Sequence, residues 1–198
     1  FKKKLFFPHH NQPGNCPSFE RLLYLQAEDE AIIQGNIELP DVETAAWLAS
    51  ISMIVCFGTG IGSSVEDVVA NDVCSFIPQV WRDKRSPEEW GALVLDYNKD
   101  HALPEDIDEE TDEAQDWYND LQGQFLETLQ QSPMYGMHWF YVHPYISESK
   151  PYPKIIRTLP YNIALVFNHD GLHIFNAEKE CIVTYPYADI FRWGGSSG

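Results

Sequence analysis

The sequence is poor in positive charge. Its 198 residues include 13 lysines and arginines against 30 aspartates and glutamates, which gives a formal net charge of −17. The whole excess lies in residues 1–132, where 25 acidic residues against 8 basic ones give −17, because residues 133–198 hold five of each. A field of that sign repels phosphate backbones and anionic lipid surfaces. Nucleic-acid binding and direct binding to anionic membranes are therefore disfavoured.

Cysteine is scarce and long apolar runs are absent. The four cysteines, Cys16, Cys56, Cys74 and Cys181, are far apart, whereas zinc sites usually contain ligand pairs two to four residues apart. We therefore expect buried free thiols in a reducing compartment and no metal site. No apolar run approaches the ~20 residues that cross a bilayer, and the longest one, residues 44–57, predicts a buried helix.

Motifs for catalysis or cofactor binding are also missing. The glycine-rich segment 58–64 lacks the lysine of a phosphate-binding loop and follows a predicted helix rather than a strand, so it predicts an inter-helix loop. The acidic segment 106–112 has Thr111 and Trp117 where a calcium-binding loop needs glycine and glutamate, so it predicts a solvated linker. We therefore expect no catalytic residue, no cofactor and no metal ion.

Segments with the apolar spacing of helices fill the first two thirds of the chain. They run from Ser18 to Gly35, from Asp41 to Phe57, from Ser64, from Ser86, and from Thr111 to Gln131. The first residue of each segment has a side-chain oxygen that can cap a helix, and Gly35 and Gly58 fit helix ends. Five helices are expected, and the first is predicted to turn Phe19, Leu22, Leu23, Ala27 and Ile33 toward the core.

The last third of the chain changes to strand-type patterning near Tyr135. Apolar and aromatic segments at 137–142, 161–168 and 171–175 precede a run that ends in Tyr185-Pro186-Tyr187-Ala188-Asp189-Ile190-Phe191-Arg192-Trp193. Helices followed by consecutive strands indicate an α+β fold. A helical part joined to a small antiparallel barrel is typical of a binding scaffold rather than of an enzyme.

Several segments, taken in order, resemble a FERM domain of the kind found in the tails of unconventional myosins. They are Lys2–Pro8, Leu22–Ala27, Glu43–Ser50, Ser86–Trp90, Met134–Val142 and Tyr185–Ile190. The resemblance implies an acyl-CoA-binding-protein-like helical bundle followed by a partial PH/PTB-like antiparallel barrel. Its domains would be 1–8, the last strand of a ubiquitin-like first lobe; 17–132, the helical second lobe; and 133–198, part of the third lobe. We therefore expect a piece of a longer chain.

The family resemblance also implies a function. We expect a non-catalytic module that binds cytoplasmic tails or adaptor proteins by strand addition, in some relatives contacts a motor head, and works in the cytoplasm, at the cytoskeleton or cell cortex. The candidate partner-binding residues are Tyr187, Ile190, Phe191, Arg192 and Trp193. The parent of a myosin-tail module would be an ATP-driven motor, although this region would not be an enzyme.

Two alternatives stay open on the sequence. The same module occurs in kinesin tails and in membrane–cytoskeleton linkers of the ezrin or talin kind, which use a basic groove for lipid headgroups. An acyl-CoA-binding or lipid-binding helical protein is the alternative of another class. It would need basic groups for phosphates, and lysine and arginine are absent between Arg21 and Arg82 and between Lys99 and Lys150.

Overall fold

The computed structural model describes residues 17–104, 107–144 and 157–190. These residues divide into two compact units, a helical unit that ends at Tyr135 and a sheet unit that begins at Gly136. The expected strand at residues 1–8 lies outside the described residues.

The described residues of the helical unit form six α-helices. They are α1 (Pro17–Glu28), α2 (Val42–Phe57), α3 (Val65–Ala70), α4 (Gln79–Arg82), α5 (Pro87–Asp100) and α6 (Asp112–Gln130). A π-helical turn, Asp29–Ile33, extends α1, and 3-10 turns lie at Gly58–Ile61 and Val73–Phe76. The glycine-rich segment is thus partly helical rather than an irregular loop, and the short helix α4 was not predicted.

Side-chain caps fix the starts of four of these helices. Asp41 accepts a hydrogen bond from the Thr44 backbone N–H at 2.7 Å, and Thr111 accepts one from Ala114. Ser64 and Ser86 each form a capping box with the acidic residue three positions later. Each bond satisfies a backbone donor that the first turn of a helix leaves free. The predicted helix starts at these four positions are confirmed, whereas Ser18 lies inside α1.

Helix α2 forms the centre of the helical unit. Nine of the ten residues from Ala45 to Ile54 are buried, and Trp47 is half-buried. A helix that is apolar on all sides is expected to lie inside the unit. Helix α6 contributes Leu121, Phe125 and Leu129, and the Phe125 ring meets Tyr24 of α1 edge to face at 5.0 Å between ring centroids. The core therefore joins the first, second and last long helices.

Two residues of the first helical segment were predicted on the wrong side. Leu22 is 48% exposed and Ile33 is 66% exposed, although both were expected to face the core. Leu23, Tyr24 and Ala27 supply the buried side of α1 instead, and Ile32 that of the π-helical turn. The π-helical turn changes the angle between successive side chains, so a pattern counted at 3.6 residues per turn fails beyond Glu28.

In the sheet unit, the residues that the structure describes form a four-stranded antiparallel sheet with strands in sequential order. The strands are β1 (His138–Val142), β2 (Ile163–Phe167), β3 (Gly171–Phe175) and β4 (Cys181–Pro186). Ile174 pairs with Val183 but Phe175 pairs with Cys181, so Ile182 is an additional residue in a β-bulge. The α+β class predicted from the sequence is confirmed, as a helical lobe followed by this sheet.

The cysteines are more exposed than the sequence analysis predicted. Cys56 and Cys181 are exposed free thiols rather than buried ones, because Cys56 lies in the last turn of α2 and Cys181 begins an outer strand. Cys74 is half-buried, and Cys16 lies outside the described residues.

In the described ranges, no helix has both the length and the apolar character needed to span a membrane.

Candidate functional site at the outer edge of strand β4

Strand β4 presents an open backbone edge. Within the described residues it pairs with β3 on one side and with no strand on the other. The Tyr187 N–H donates to the Asp170 carbonyl at 3.3 Å, so by antiparallel alternation Tyr185 also points its backbone groups toward β3. The N–H and C=O of Thr184 consequently point away from β3, as does the nitrogen of Pro186, which has no hydrogen to donate.

A 3-10 turn, Tyr187–Asp189, follows β4, and two of the predicted contact residues lie in it or directly after it. Tyr187 is 40% exposed, and Ile190, directly after the turn, is half-buried. The structure thus places an aromatic and an aliphatic side chain beside the end of the open edge. Phe191, Arg192 and Trp193 lie outside the described residues, so their predicted contacts stay predictions.

Tyr187 is held in place by the loop between β2 and β3. Its hydroxyl donates to the Asn168 backbone carbonyl at 2.9 Å. Burial raises the pKa of Tyr187, so the hydroxyl keeps its proton and remains a donor at neutral pH. The ring is therefore fixed at its polar end while one side stays open to a partner.

The Asn168 side chain organises the same loop. Its Oδ1 atom accepts hydrogen bonds from the backbone N–H groups of Asp170 and Gly171, at 2.8 and 3.1 Å, and lies 3.0 Å from His173 Nε2. Because this oxygen can only accept, His173 carries its proton on Nε2. The other ring nitrogen, Nδ1, then accepts from the Thr184 hydroxyl at 2.9 Å. A continuous network thus links the β2–β3 loop to the middle of β4.

Strand β1 forms the opposite edge of the described sheet and was not predicted as a site. Phe140 and Tyr141 are 46% and 63% exposed, on opposite faces of the strand. Phe140 contacts Phe167 edge to face, and Trp139 packs against Phe175 at 4.9 Å between ring centroids. The consecutive aromatic residues of this segment were a sequence signal for an exposed aromatic surface. Successive side chains of a strand point to opposite faces, and only one face of this sheet can cover a core.

The helical unit has cavities of its own. One, of about 400 Å³, lies beside α1 and α2 and is lined by apolar side chains such as Leu25, Ile32, Val55 and Phe76. Arg21 is the one basic residue among its described lining. An acyl-CoA ligand carries several phosphate charges, so this lining gives the lipid-binding alternative little support. The described residues contain no cluster of three or more histidine, cysteine or acidic side chains that could hold a metal ion.

Comparison with known proteins identifies the family. A family model, the FERM central domain, matches residues 11–140, which is more than half of the chain. The chain belongs to the FERM family. This family supplies non-catalytic modules that bind other proteins, in agreement with the helical lobe and sheet described above.

Similar proteins carry the same FERM fold. The chain is 27% identical over 183 residues to FERM domain-containing protein B of Dictyostelium discoideum, covering 92% of this chain and 34% of that protein. The human myosin 7b C-terminal MyTH4-FERM domain, solved in complex with the harmonin-a PDZ3 domain, aligns with a TM-score of 0.66 and 21% identity. That alignment covers 98% of this chain and 36% of the myosin chain.

A second solved FERM structure comes from outside the myosins. The Drosophila Merlin FERM and C-terminal domain complex aligns with a TM-score of 0.59 and 16% identity, covering 96% of this chain and 56% of that one. At these identities the two solved structures establish the fold alone. The chain spans about a third of the length of its curated FERM relative.

Proposed function

We propose that this FERM chain is a partner-binding module from the tail of an unconventional myosin. It holds an extended segment of a cytoplasmic tail or adaptor protein as an added strand along the open edge of β4. The division into the last strand of a first lobe (1–8), a helical second lobe (17–132) and part of a third lobe (133–198) belongs to this proposal. So does a place in the cytoplasm, at the cytoskeleton or cell cortex.

The observation that carries the proposal is the outward direction of the Thr184 backbone groups on a strand that is paired on one side. An unpaired N–H and C=O in an extended strand form the template that a partner strand needs. Tyr187 and Ile190 lie where the added strand would leave the edge, and they offer it apolar contacts. Main-chain bonds would supply affinity, and these side chains would supply selectivity.

The myosin assignment is supported by the human myosin 7b MyTH4-FERM structure, which carries the highest TM-score given above. That myosin domain was solved in complex with a PDZ domain, so a relative with this fold has a protein as its partner. In a motor tail, the module also takes part in restraining the motor by contact with the head. The predicted contacts of Phe191, Arg192 and Trp193, including recognition of an acidic partner by Arg192, belong to the same proposal.

Two variants at Thr184 test strand addition. Thr184→Pro removes the outward N–H together with the hydroxyl, whereas Thr184→Val removes only the hydroxyl and its bond to His173. An outer strand tolerates proline at such a position, and Pro186 already occupies the next outward one. Peptides selected on the wild-type chain from a random library would be measured against both variants by isothermal titration calorimetry.

We expect Thr184→Val to bind the selected peptides within about twofold of wild type and Thr184→Pro to lose at least tenfold in affinity, equivalent to about 1.4 kcal/mol. Circular dichroism would establish that both variants fold. Equal affinities of the two variants for every selected peptide would exclude strand addition at β4.

The Merlin resemblance favours one alternative, a membrane–cytoskeleton linker. Such a module would bind anionic lipid headgroups through basic side chains. The test is sedimentation with vesicles that contain phosphatidylserine and phosphatidylinositol bisphosphate. Binding that falls steeply with added salt would support the linker and count against the myosin-tail assignment.

A further inference from the structure

The first helical segment has apolar side chains on two sides, and only one of them is buried. The buried side packs into the core described above, whereas Leu22 and Leu25 are each 48% exposed. Ile33, in the π-helical turn that extends α1, is 66% exposed. A surface helix normally turns one apolar stripe to the core and polar residues to solvent. A second apolar side marks a surface that another molecule covers.

This open side contributes to the cavity of about 400 Å³ beside α1 and α2. Leu25, Ile33, Val55 and Phe76 supply its apolar lining and form what we call the α1 groove. The ring of Phe76 meets Phe57, which is 38% exposed, edge to face at 5.8 Å between ring centroids, so the apolar surface continues beyond the cavity. An engineered cavity of ~150 Å³ holds one benzene molecule, so the α1 groove has room for two or three apolar side chains.

Two polar side chains of the α1 groove are already bonded to each other. Tyr24 donates its hydroxyl hydrogen to Glu28 Oε1 at 2.9 Å, and its oxygen lies 3.3 Å from the Ser52 hydroxyl oxygen. Burial, and then the nearby Glu28 carboxylate, raise the pKa of Tyr24, so this donor keeps its proton. An occupant of the groove therefore meets mainly apolar side chains.

The helical walls of the groove determine the backbone form of a bound segment. Backbone groups in a helix interior are bonded within their own helix, so these walls offer no ladder to an extended strand. A helix pairs its own backbone groups and can lay an apolar face into such a groove. From Arg21 to Ile33 the wall runs for roughly 18 Å, which a partner helix of about 12 residues matches.

The charge of the helical unit selects the sign of the partner. Residues 17–135 hold 25 acidic and five basic residues, which gives a formal net charge of −20. Glu28 lines the groove, and Asp29 and Glu30 follow it directly in the chain. Arg21 is the one basic residue of the described lining. Lysine and arginine on a partner gain from this field, whereas acidic side chains are repelled by it.

We propose that the α1 groove binds a basic amphipathic helix of a partner protein. Apolar side chains from one face of that helix enter the cavity beside Leu25 and Phe76 and cover Ile33. Lysine or arginine at the margin of the same face meets the carboxylates of Glu28 and Asp29. This surface shares no residue with the edge of β4, so the chain binds one partner segment as a strand and another as a helix.

The same charge argues against two other occupants of the groove. A second copy of this chain brings a helical unit of equal negative charge, which repels the first. A fatty acid brings a carboxylate to a lining in which Arg21 is the one described base and Glu28 opposes it. A basic helix is attracted where both of these are repelled.

A library of helical peptides tests the proposal on the chain with both units present. Each peptide spans about four helical turns, with apolar residues at i, i+4, i+7 and i+11 and lysine, glutamate, glutamine or alanine elsewhere. Peptides selected by display on the wild-type chain are then measured by isothermal titration calorimetry. We expect them to contain more lysine than glutamate and to gain helical circular dichroism on binding.

A matched pair of variants separates groove binding from unspecific attraction. Ile33 and Val80 are 66% and 61% exposed, and Ile33 lines the groove whereas Val80 is not part of the described lining. Ile33→Asp and Val80→Asp each add one negative charge, so unspecific attraction of a basic peptide rises in both. We expect Ile33→Asp to lower the affinity at least tenfold, because a carboxylate would be buried under an apolar face, and Val80→Asp to stay within twofold of wild type. Circular dichroism establishes that both variants fold.

Two exposed free thiols report where the peptide lies. Cys56 lines the α1 groove, whereas Cys181 begins β4. Alkylation by iodoacetamide is followed by mass spectrometry of chymotryptic fragments. We expect a bound peptide to slow the alkylation of Cys56 at least fivefold and to leave the rate at Cys181 unchanged. Thr184→Pro, which blocks the edge of β4, should not change the affinity of these peptides, so this proposal and strand addition fail independently.

Four results would overturn the proposal. The first two are a selection in which no peptide distinguishes Ile33→Asp from Val80→Asp, and peptides that bind without protecting Cys56. The third is protection of Cys56 by oleate at lower concentrations than by any peptide, which would identify a lipid as the ligand. The last is protection that grows with protein concentration alone, together with a dimer in analytical ultracentrifugation, which would identify a second copy as the occupant.

Discussion

The hydroxyl of Tyr187 donates a 2.9 Å hydrogen bond to the backbone carbonyl of Asn168 and so joins the turn after β4 to the loop between β2 and β3. The two residues are 19 positions apart in sequence. Their contact determines where the end of the open edge lies, and it links the proposed partner contact to the rest of the sheet.

Tyr187→Phe should therefore loosen the end of β4. The variant loses one hydrogen bond at a half-exposed position, for which we expect a fall of about 0.5–1 kcal/mol in the free energy of unfolding. Urea denaturation gives that value. Tyr161→Phe is the control, because Tyr161 is 73% exposed and should change stability by less than about 0.5 kcal/mol. Equal effects of the two substitutions would show that the Tyr187–Asn168 bond contributes nothing.

Adjacent isoleucines at the end of the first helical segment should behave in opposite ways. Ile32 is 2% exposed, and Ile32→Ala should cost about 2–5 kcal/mol of unfolding free energy because it leaves a cavity. Ile33 is 66% exposed, so Ile33→Ala should cost less than about 0.5 kcal/mol. Thermal or urea unfolding compares the pair, and a larger loss for Ile33 would contradict the burial of this turn.

The start of α5 depends on its capping box. Ser86 accepts a hydrogen bond from the Glu89 N–H, and the Glu89 carboxylate accepts one from the Ser86 N–H at 2.8 Å. Ser86→Ala should lower the unfolding free energy by about 1 kcal/mol. Ser63→Ala should be close to neutral in the same urea titration, because it keeps the Ser63 N–H bond to Asp67 and removes only an exposed side chain. A neutral Ser86→Ala would mean that the box does not stabilise the folded chain.

Acidification should weaken the fold through His173. Burial lowers its pKa below the ordinary value of 6.5, against the opposing charge of Asp170. The unfolded chain then binds more protons than the folded one, so stability is full above pH 6.5 and declines as pH falls from there toward the lowered pKa. The slope stays well below the limit of about 1.4 kcal/mol per pH unit, because the ring is only partly buried.

His173→Gln should flatten this decline between pH 6.5 and 5, as measured by chemical unfolding at several pH values. The pKa of His101 is also lowered by burial, so part of the loss of stability at low pH should remain in that variant. An identical pH slope in wild type and His173→Gln would contradict the assignment.

Local chemistry explains what could be predicted from the sequence. The starts at Asp41, Ser64, Ser86 and Thr111 were predictable because a cap involves residues three positions apart. The α+β class was predictable for a similar reason. The apolar spacing that distinguishes a helix from a strand is contained within each segment, and the order of the segments then indicates the class.

Features that depend on distant contacts were not predictable in the same way. The exposure of Leu22 depends on which face of α1 packs on the other helices, and that of Ile33 depends on the π-helical turn; apolar spacing encodes neither. The cavity between the ends of α2 and α5 and the start of α6 joins Ile54, Asn98 and Trp117, which are far apart in sequence. The contact residues at 191–193 stay a prediction.

The β-bulge at Ile182 limits how the open edge can be used. Uninterrupted pairing on β4 extends only over Val183–Tyr185, because the bulge disrupts the strand on one side and Pro186 lacks a donor on the other. A ladder this short rewards a brief partner segment and gives little to a long one. It also hinders the growth of stacked copies into a continuous intermolecular sheet, so the edge is protected against aggregation by the same two residues that shorten it.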